Sequence, residues 1–115
     1  MNVDHSTSLG KASTMIEEFE AWFREQEPQL EDSSVRIEIT RRDIPSRAIM
    51  AVLENEVYIA SLTLWQIGAF DIHVLSLSEG KSVFDQRYDL ENVTEMISIL
   101  EDMYYKFLHH SFDSV

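Results

Sequence analysis

The 115-residue chain has no cysteine, only three glycines and few cations, nine Lys and Arg against twenty-one Asp and Glu. Without cysteine there is no disulfide framework and no thiolate metal site. The few glycines form no Gly-rich phosphate loop. No run approaches the roughly 18 consecutive apolar residues of a membrane span. Met1 to Gly10 is polar and carries Asp4 and His5, so it has neither the basic start nor the apolar run of a secretory signal. These absences fit a cytoplasmic location. The scarcity of cations leaves a net charge of −12, which favours a basic partner and opposes nucleic acid and anionic lipid.

What is present is core material. Apolar residues make up 44% of the chain, with six Phe, four Tyr and two Trp, more than a disordered acidic chain would carry. The length fits one domain. Residues 1–13 show no periodicity and read as a flexible leader, 14–110 as a single α+β domain, and 111–115 as a frayed terminus.

Thr14 and Glu17 have the spacing of a capping box at a helix start. Met15, Ile16, Phe19, Trp22 and Phe23 recur at three- and four-residue spacing and give one apolar stripe. Glu17, Glu18, Glu20 and Glu25 take the other face, and Pro28 is expected to end the helix. From Ser34 the period becomes two: Val35, Ile37 and Ile39 alternate with Arg36 and Glu38. Arg41 to Ser46 reads as a connection. Further strands are expected at about Arg47 to Leu53, Val57 to Gln66, Ala69 to Leu77 and Ser82 to Tyr88. The breaks between them are too short for parallel crossovers, which take about a dozen residues, so the sheet is an antiparallel meander of five strands. Asn92 and Glu95 have capping spacing for a second helix. Its stripe runs through Val93, Met96, Ile97, Leu100, Met103, Tyr104, Phe107 and Leu108.

The expected architecture is α-β-β-β-β-β-α, with both helices on one sheet face and the other face open. If Ala60, Leu62 and Leu64 point inward, Ile59, Ser61, Thr63 and Trp65 point outward, and Trp65 becomes a natural anchor for a partner.

Chemistry finds little support. His109 and His110 are helix neighbours pointing about 100° apart, His5 is in the leader and His73 stands alone on a strand, so no metal site is expected. Carboxylate pairs such as Glu17 with Glu20 or Glu101 with Asp102 lie in runs that read as solvated helix faces, with nothing to separate their pKa values. No serine sits in a nucleophile elbow. The group Arg36, Arg41, Arg42 and Arg47 lacks interleaved aromatics, and pairing with the chain's own acids or a partner's fits it better than nucleic acid. No catalytic residue and no cofactor is assigned. The acidic surface itself serves solubility or steers a basic protein partner.

The segment YIASLTLWQIGAFDIHVLSLSEGKSVFDQRYDL, with Trp65, Gly68, Asp71, Val74 and Gly80, resembles the TriTu immunity proteins of bacterial polymorphic toxin systems. The helix text FEAWF, Phe19 to Phe23, also fits, and the resemblance extends over about Met15 to Phe107. It implies a cytoplasmic protein that neutralises a cognate toxin with a basic surface by steric occlusion, without cofactor or turnover. The contacts expected are Thr63, Trp65, Asp71 and His73 on the outward sheet face, assisted by Glu54 and Glu56 at a nearby turn. The rival reading is a chaperone of the type III secretion class, also small, acidic and α/β. Such a chaperone binds an effector segment and generally dimerises, so a homodimer stays open.

Overall fold

The computed structural model describes residues 11–43 and 46–112. The order is α1 (Lys11–Asp32), β1 (Arg36–Arg42), β2 (Ala48–Glu54), β3 (Tyr58–Trp65), β4 (Ala69–Ser76), β5 (Lys81–Asp89) and α2 (Val93–Leu108). The strands form one antiparallel sheet in chain order, β1-β2-β3-β4-β5, as the short connections require. Residues 1–10 of the expected leader, the Ile44–Pro45 part of the first connection and residues 113–115 lie outside the described residues.

Both ends of α1 differ from the sequence expectation. The helix is already under way at Lys11, so Thr14 occupies a helical position and is not a cap. At the other end Pro28 sits inside the helix. Proline removes one backbone hydrogen bond and costs about 3 kcal/mol in a helix interior. The burial of Leu30, 1% exposed, returns roughly 1.5–3 kcal/mol, and it requires the helix to continue past Pro28. The helix then stops in a Schellman turn. Val35 N–H donates to the Leu30 carbonyl at 2.9 Å and Ser34 N–H to that of Glu31 at 3.2 Å, with Ser34 at φ +59°. The accompanying apolar contact of such turns falls to Leu30 and Val35, both buried.

Helix α2 begins as expected. Asn92 Oδ1 accepts from Glu95 N–H at 2.8 Å, and Glu95 Oε1 accepts in return from Glu91 N–H at 3.0 Å. Met96, Leu100, Met103, Tyr104 and Phe107 are buried, while Val93, Ile97 and Leu108 at the stripe's margin are half-buried. The chain leaves α2 through His110 at φ +55°, with Ser111 N–H bonded to the Lys106 carbonyl at 3.0 Å. Phe112, placed by the sequence in a fraying end, packs against Tyr58 and Phe84 with ring centroids 5.2 and 5.4 Å away. Tyr58 Oη accepts from its N–H at 3.0 Å.

Both helices lie on one face of the sheet. Phe19 of α1 meets Phe70 at 6.0 Å and Phe107 of α2 meets Tyr58 at 6.0 Å. Phe70 and Tyr58 belong to the buried alternation that includes Ala60, Leu62 and Leu64. The helices touch through Trp22 and Tyr104, edge to face at 5.3 Å. No described helix is long and apolar enough to cross a membrane.

Candidate functional face

The alternation of β3 is strict. Tyr58, Ala60, Leu62 and Leu64 are buried, and Ile59, Ser61, Thr63 and Trp65 between them are half-buried on the helix-free face. Because a strand's side chains change face at every residue, the pairing register fixes the rows of this open face. Thr40, Met50, Thr63, Asp71 and Arg87 form one row. Glu38, Val52, Ser61, His73 and Asp85 form the next. Arg36, Glu54, Ile59 and Leu75 form a third. The middle strand β3 is therefore neutral to apolar on this face, and the charges stand on the edge strands β1 and β5 and at Glu54 and Asp71 on the strands beside them.

Of the six residues expected to make contact, four come together. Thr63 is opposite Asp71 and Ser61 opposite His73 on neighbouring strands, with Trp65 at the end of β3 beside them. Glu54 shares the face at its far end, where it is ion-paired with Arg36. Glu56 departs from the group. It lies in the β2–β3 turn and lines a hollow of about 450 Å³ with Gln29, Ser34, His109 and His110. That hollow sits where the C-terminal ends of the two helices meet. A two-residue turn carries Glu56 off the face because Asn55 clamps it: Asn55 Oδ1 accepts from the N–H groups of Val57 and Tyr58 at 2.9 and 2.8 Å. Asn55 Nδ2 also donates to the Phe107 carbonyl at 3.2 Å, tying the turn to α2.

Trp65 is not bare. The Arg87 guanidinium lies over its ring, 5.5 Å from the centroid, and also reaches Asp71 Oδ2 at 3.4 Å. A cation over an indole face contributes about 0.5–1 kcal/mol at an exposed site, so Arg87 orients the Trp65 ring and carries a donor array into the patch. Sequence alternation alone misses Arg87, because its place beside Trp65 depends on the pairing of β4 with β5. It also misses Met50 and Val52. The signal for both is the same period-two pattern in β2, read together with the register.

The remaining charges behave as solvated pairs. Arg41 and Arg24 both reach Glu20, at 2.8 and 2.9 Å, and Arg47 approaches Asp43 at 3.8 Å. Three of the four clustered arginines thus pair with the chain's own acids. Glu20 is held below the ordinary carboxyl value, chiefly by the hydrogen bond from Arg24 and then by that from Arg41. Burial pushes the phenols of Tyr88 and Tyr104 up, Tyr88 with help from Asp102. None of these is a carboxylate or histidine poised for proton transfer. Among the described residues no three His, Asp or Glu side chains converge to hold a metal.

The family model described as immunity protein TriTu matches residues 17–106. This chain belongs to the TriTu immunity protein family. The match runs from α1 to the last turn of α2, so every strand and the whole open face of this TriTu domain lie within it. Family membership carries an immunity function in general. No curated protein matches the chain.

Proposed function

We propose that this TriTu protein acts in the bacterial cytoplasm by binding a cognate toxin domain with a basic surface and neutralising it by steric occlusion, with no catalysis of its own. The observation that carries the reading is the open sheet face within a TriTu domain. It holds half-buried Trp65 among Thr63, Asp71, His73 and Arg87, on a scaffold whose opposite face carries both helices. An aromatic residue ringed by small polar and charged neighbours is the composition of an interface anchor. The overall acidic balance of the molecule favours the approach of a basic toxin surface. Glu54 extends the contact along the face, and Glu56 meets the toxin only if the interface wraps around the β2–β3 turn.

The test is a pull-down from the producing bacterium at low and moderate salt, followed by titration of the captured toxin domain against variants. Trp65→Ala is expected to weaken binding by about 2 kcal/mol or more with an unchanged thermal unfolding curve. Thr63→Arg, which projects a bulky charge from the centre of the face without touching the core, should do the same. Undiminished affinity in both variants would place the contact elsewhere. Capture of a disordered effector segment instead of a folded toxin would replace the immunity mechanism with a chaperone's.

A further inference from the structure

The sheet has two unlike edges. At the first, β1 turns Arg41 toward the helix side, where it reaches Glu20, and an inward-pointing charge is a common guard against edge pairing. Laid antiparallel on itself about Ile39, β1 would oppose Arg36 with Arg42 and Ile37 with Arg41. Neither pair is favourable.

At the second edge, β5 carries no such guard. Val83 is the extra residue of a bulge, since Val74 pairs with Phe84 and the next residue, Leu75, with Ser82. The regular run therefore starts at Phe84. Phe84, Gln86 and Tyr88 face the helix side, opposite Val74, Ile72 and Phe70, and Asp85 and Arg87 face the open side, opposite His73 and Asp71. Laid antiparallel on itself about Gln86, this run is self-complementary. Phe84 opposes Tyr88 on one face, Asp85 opposes Arg87 on the other, and two-fold symmetry repeats each pair. Beside the strand, Phe84 and Tyr88 line a hollow of about 320 Å³ with Ile99, Met103 and Phe112, rimmed by the Asp102–Lys106 ion pair, so the helix side of this edge is concave and incompletely filled, with an aromatic floor and a charged rim.

We infer that β5 pairs with β5 of a second copy of this chain, joining two five-stranded sheets into one. Antiparallel pairing of identical strands places the two-fold axis perpendicular to the sheet and makes the interface isologous. Both open faces then lie on one side, and all four helices on the other. The partner subunit's Asp85 gives Arg87 a second carboxylate besides Asp71, and the two aromatic hollows meet across the seam. The pairing is independent of any toxin, so it stands or falls separately from the immunity mechanism.

Sedimentation equilibrium tests it at about 0.15 M salt, where repulsion between two strongly acidic chains is screened beyond roughly 8 Å. The wild-type protein is expected to sediment at twice the 13.4 kDa of one chain at protein concentrations up to about 100 μM. Asp85→Arg sets guanidinium against guanidinium, and Arg87→Asp sets carboxylate against carboxylate. Each is expected to raise the dimer dissociation constant about tenfold or more, with folding followed by circular dichroism. An equimolar mixture of the two variants restores opposite charges at both ends of the seam and is expected to recover the dimer. A monomeric wild-type protein at that concentration would overturn the inference. So would a dimer that neither variant weakens, or single variants whose mixture stays monomeric.

Discussion

At the scale of single residues, the buried hydroxyl of Tyr104 stands out. Its Oη lies inside the fold with no hydrogen-bond partner, and burial raises its pKa. Its ring meanwhile makes the edge-to-face contact with Trp22 that joins the helices. A buried hydroxyl without a partner costs about 1–3 kcal/mol, whereas the ring contact survives its removal. Tyr104→Phe is therefore expected to stabilise the domain by about 1 kcal/mol, read as a higher urea midpoint at unchanged slope. A lower midpoint would mean that Oη has a partner, such as a bound water, that the substitution removes. Ser34 and His110 sit at the analogous position of the two helix ends, in the left-handed region that glycine usually fills. Both line the hollow that contains Glu56, so the strained backbone at both helix ends borders one surface depression. Gly68 is the opposite case. At φ +100° a Cβ there would lie 2.9 Å from the Leu90 carbonyl oxygen, while Leu90 N–H donates to the Gly68 carbonyl at 2.9 Å. The Trp65-to-Gly68 spacing that marks the family resemblance thus has a structural reason: the β3–β4 turn touches the backbone entering α2.

At the scale of elements, α1 is tied to the sheet edge by Glu20, which receives Arg41 of β1 and Arg24 of its own helix. The carboxyl is held below its ordinary value of 4.5, so its charged form is favoured by folding. The stability it contributes is fully present above about pH 4.5 and is lost as pH falls through the lowered folded value. Glu20→Gln is expected to lower stability at neutral pH and to flatten its decline between about pH 5 and pH 3, in denaturant titrations at each pH. An unchanged acid limb would assign that decline to other carboxylates. The elements themselves were largely legible, because period two in β3 and β4 and period 3.6 in α2 each had a single structural reading. Helix α1 was less so. Local rules stop a helix at Pro28 and start one at Thr14, yet burial of Leu30 outweighs the first rule and the helix runs past the second. The face was legible as a set of outward residues but not as a site. Alternation gives Thr63 and Trp65, whereas the juxtaposition of Arg87, Asp71 and Trp65 exists only once β3, β4 and β5 are in register. Glu56 lies in the turn where the sequence places it, but only the folded turn shows that its surroundings are the hollow beside the helix ends and not the row that Glu54 shares.

At the scale of the whole molecule, the charge of −12 is not spread evenly over the two faces. Helix α1 carries seven acids against two bases, and α2 three against one. The open face sets Glu38, Glu54, Asp71, Asp85 and Asp89 against Arg36, Arg42 and Arg87. Most of the excess negative charge therefore belongs to the helix layer, away from the face proposed to meet the toxin. The two layers are separated by roughly a helix diameter, about 10–12 Å. This exceeds the Debye length of about 8 Å at 0.15 M salt but is well inside the 30 Å reached at 0.01 M. A basic toxin approaching the open face is thus attracted by the whole molecule at low salt and mainly by the near-balanced face at physiological salt. The association rate is expected to fall steeply between about 0.01 and 0.1 M salt and then to level off, with dissociation changing little. Stopped-flow measurements over that range would check it. A toxin docking on the helices would remain in contact with the acid-rich layer, and its association rate would keep falling through about 0.5 M. The shape of the salt curve therefore distinguishes the two faces without a structure of the complex. Trp65→Ala should act on dissociation at every salt concentration if the open face is the one engaged.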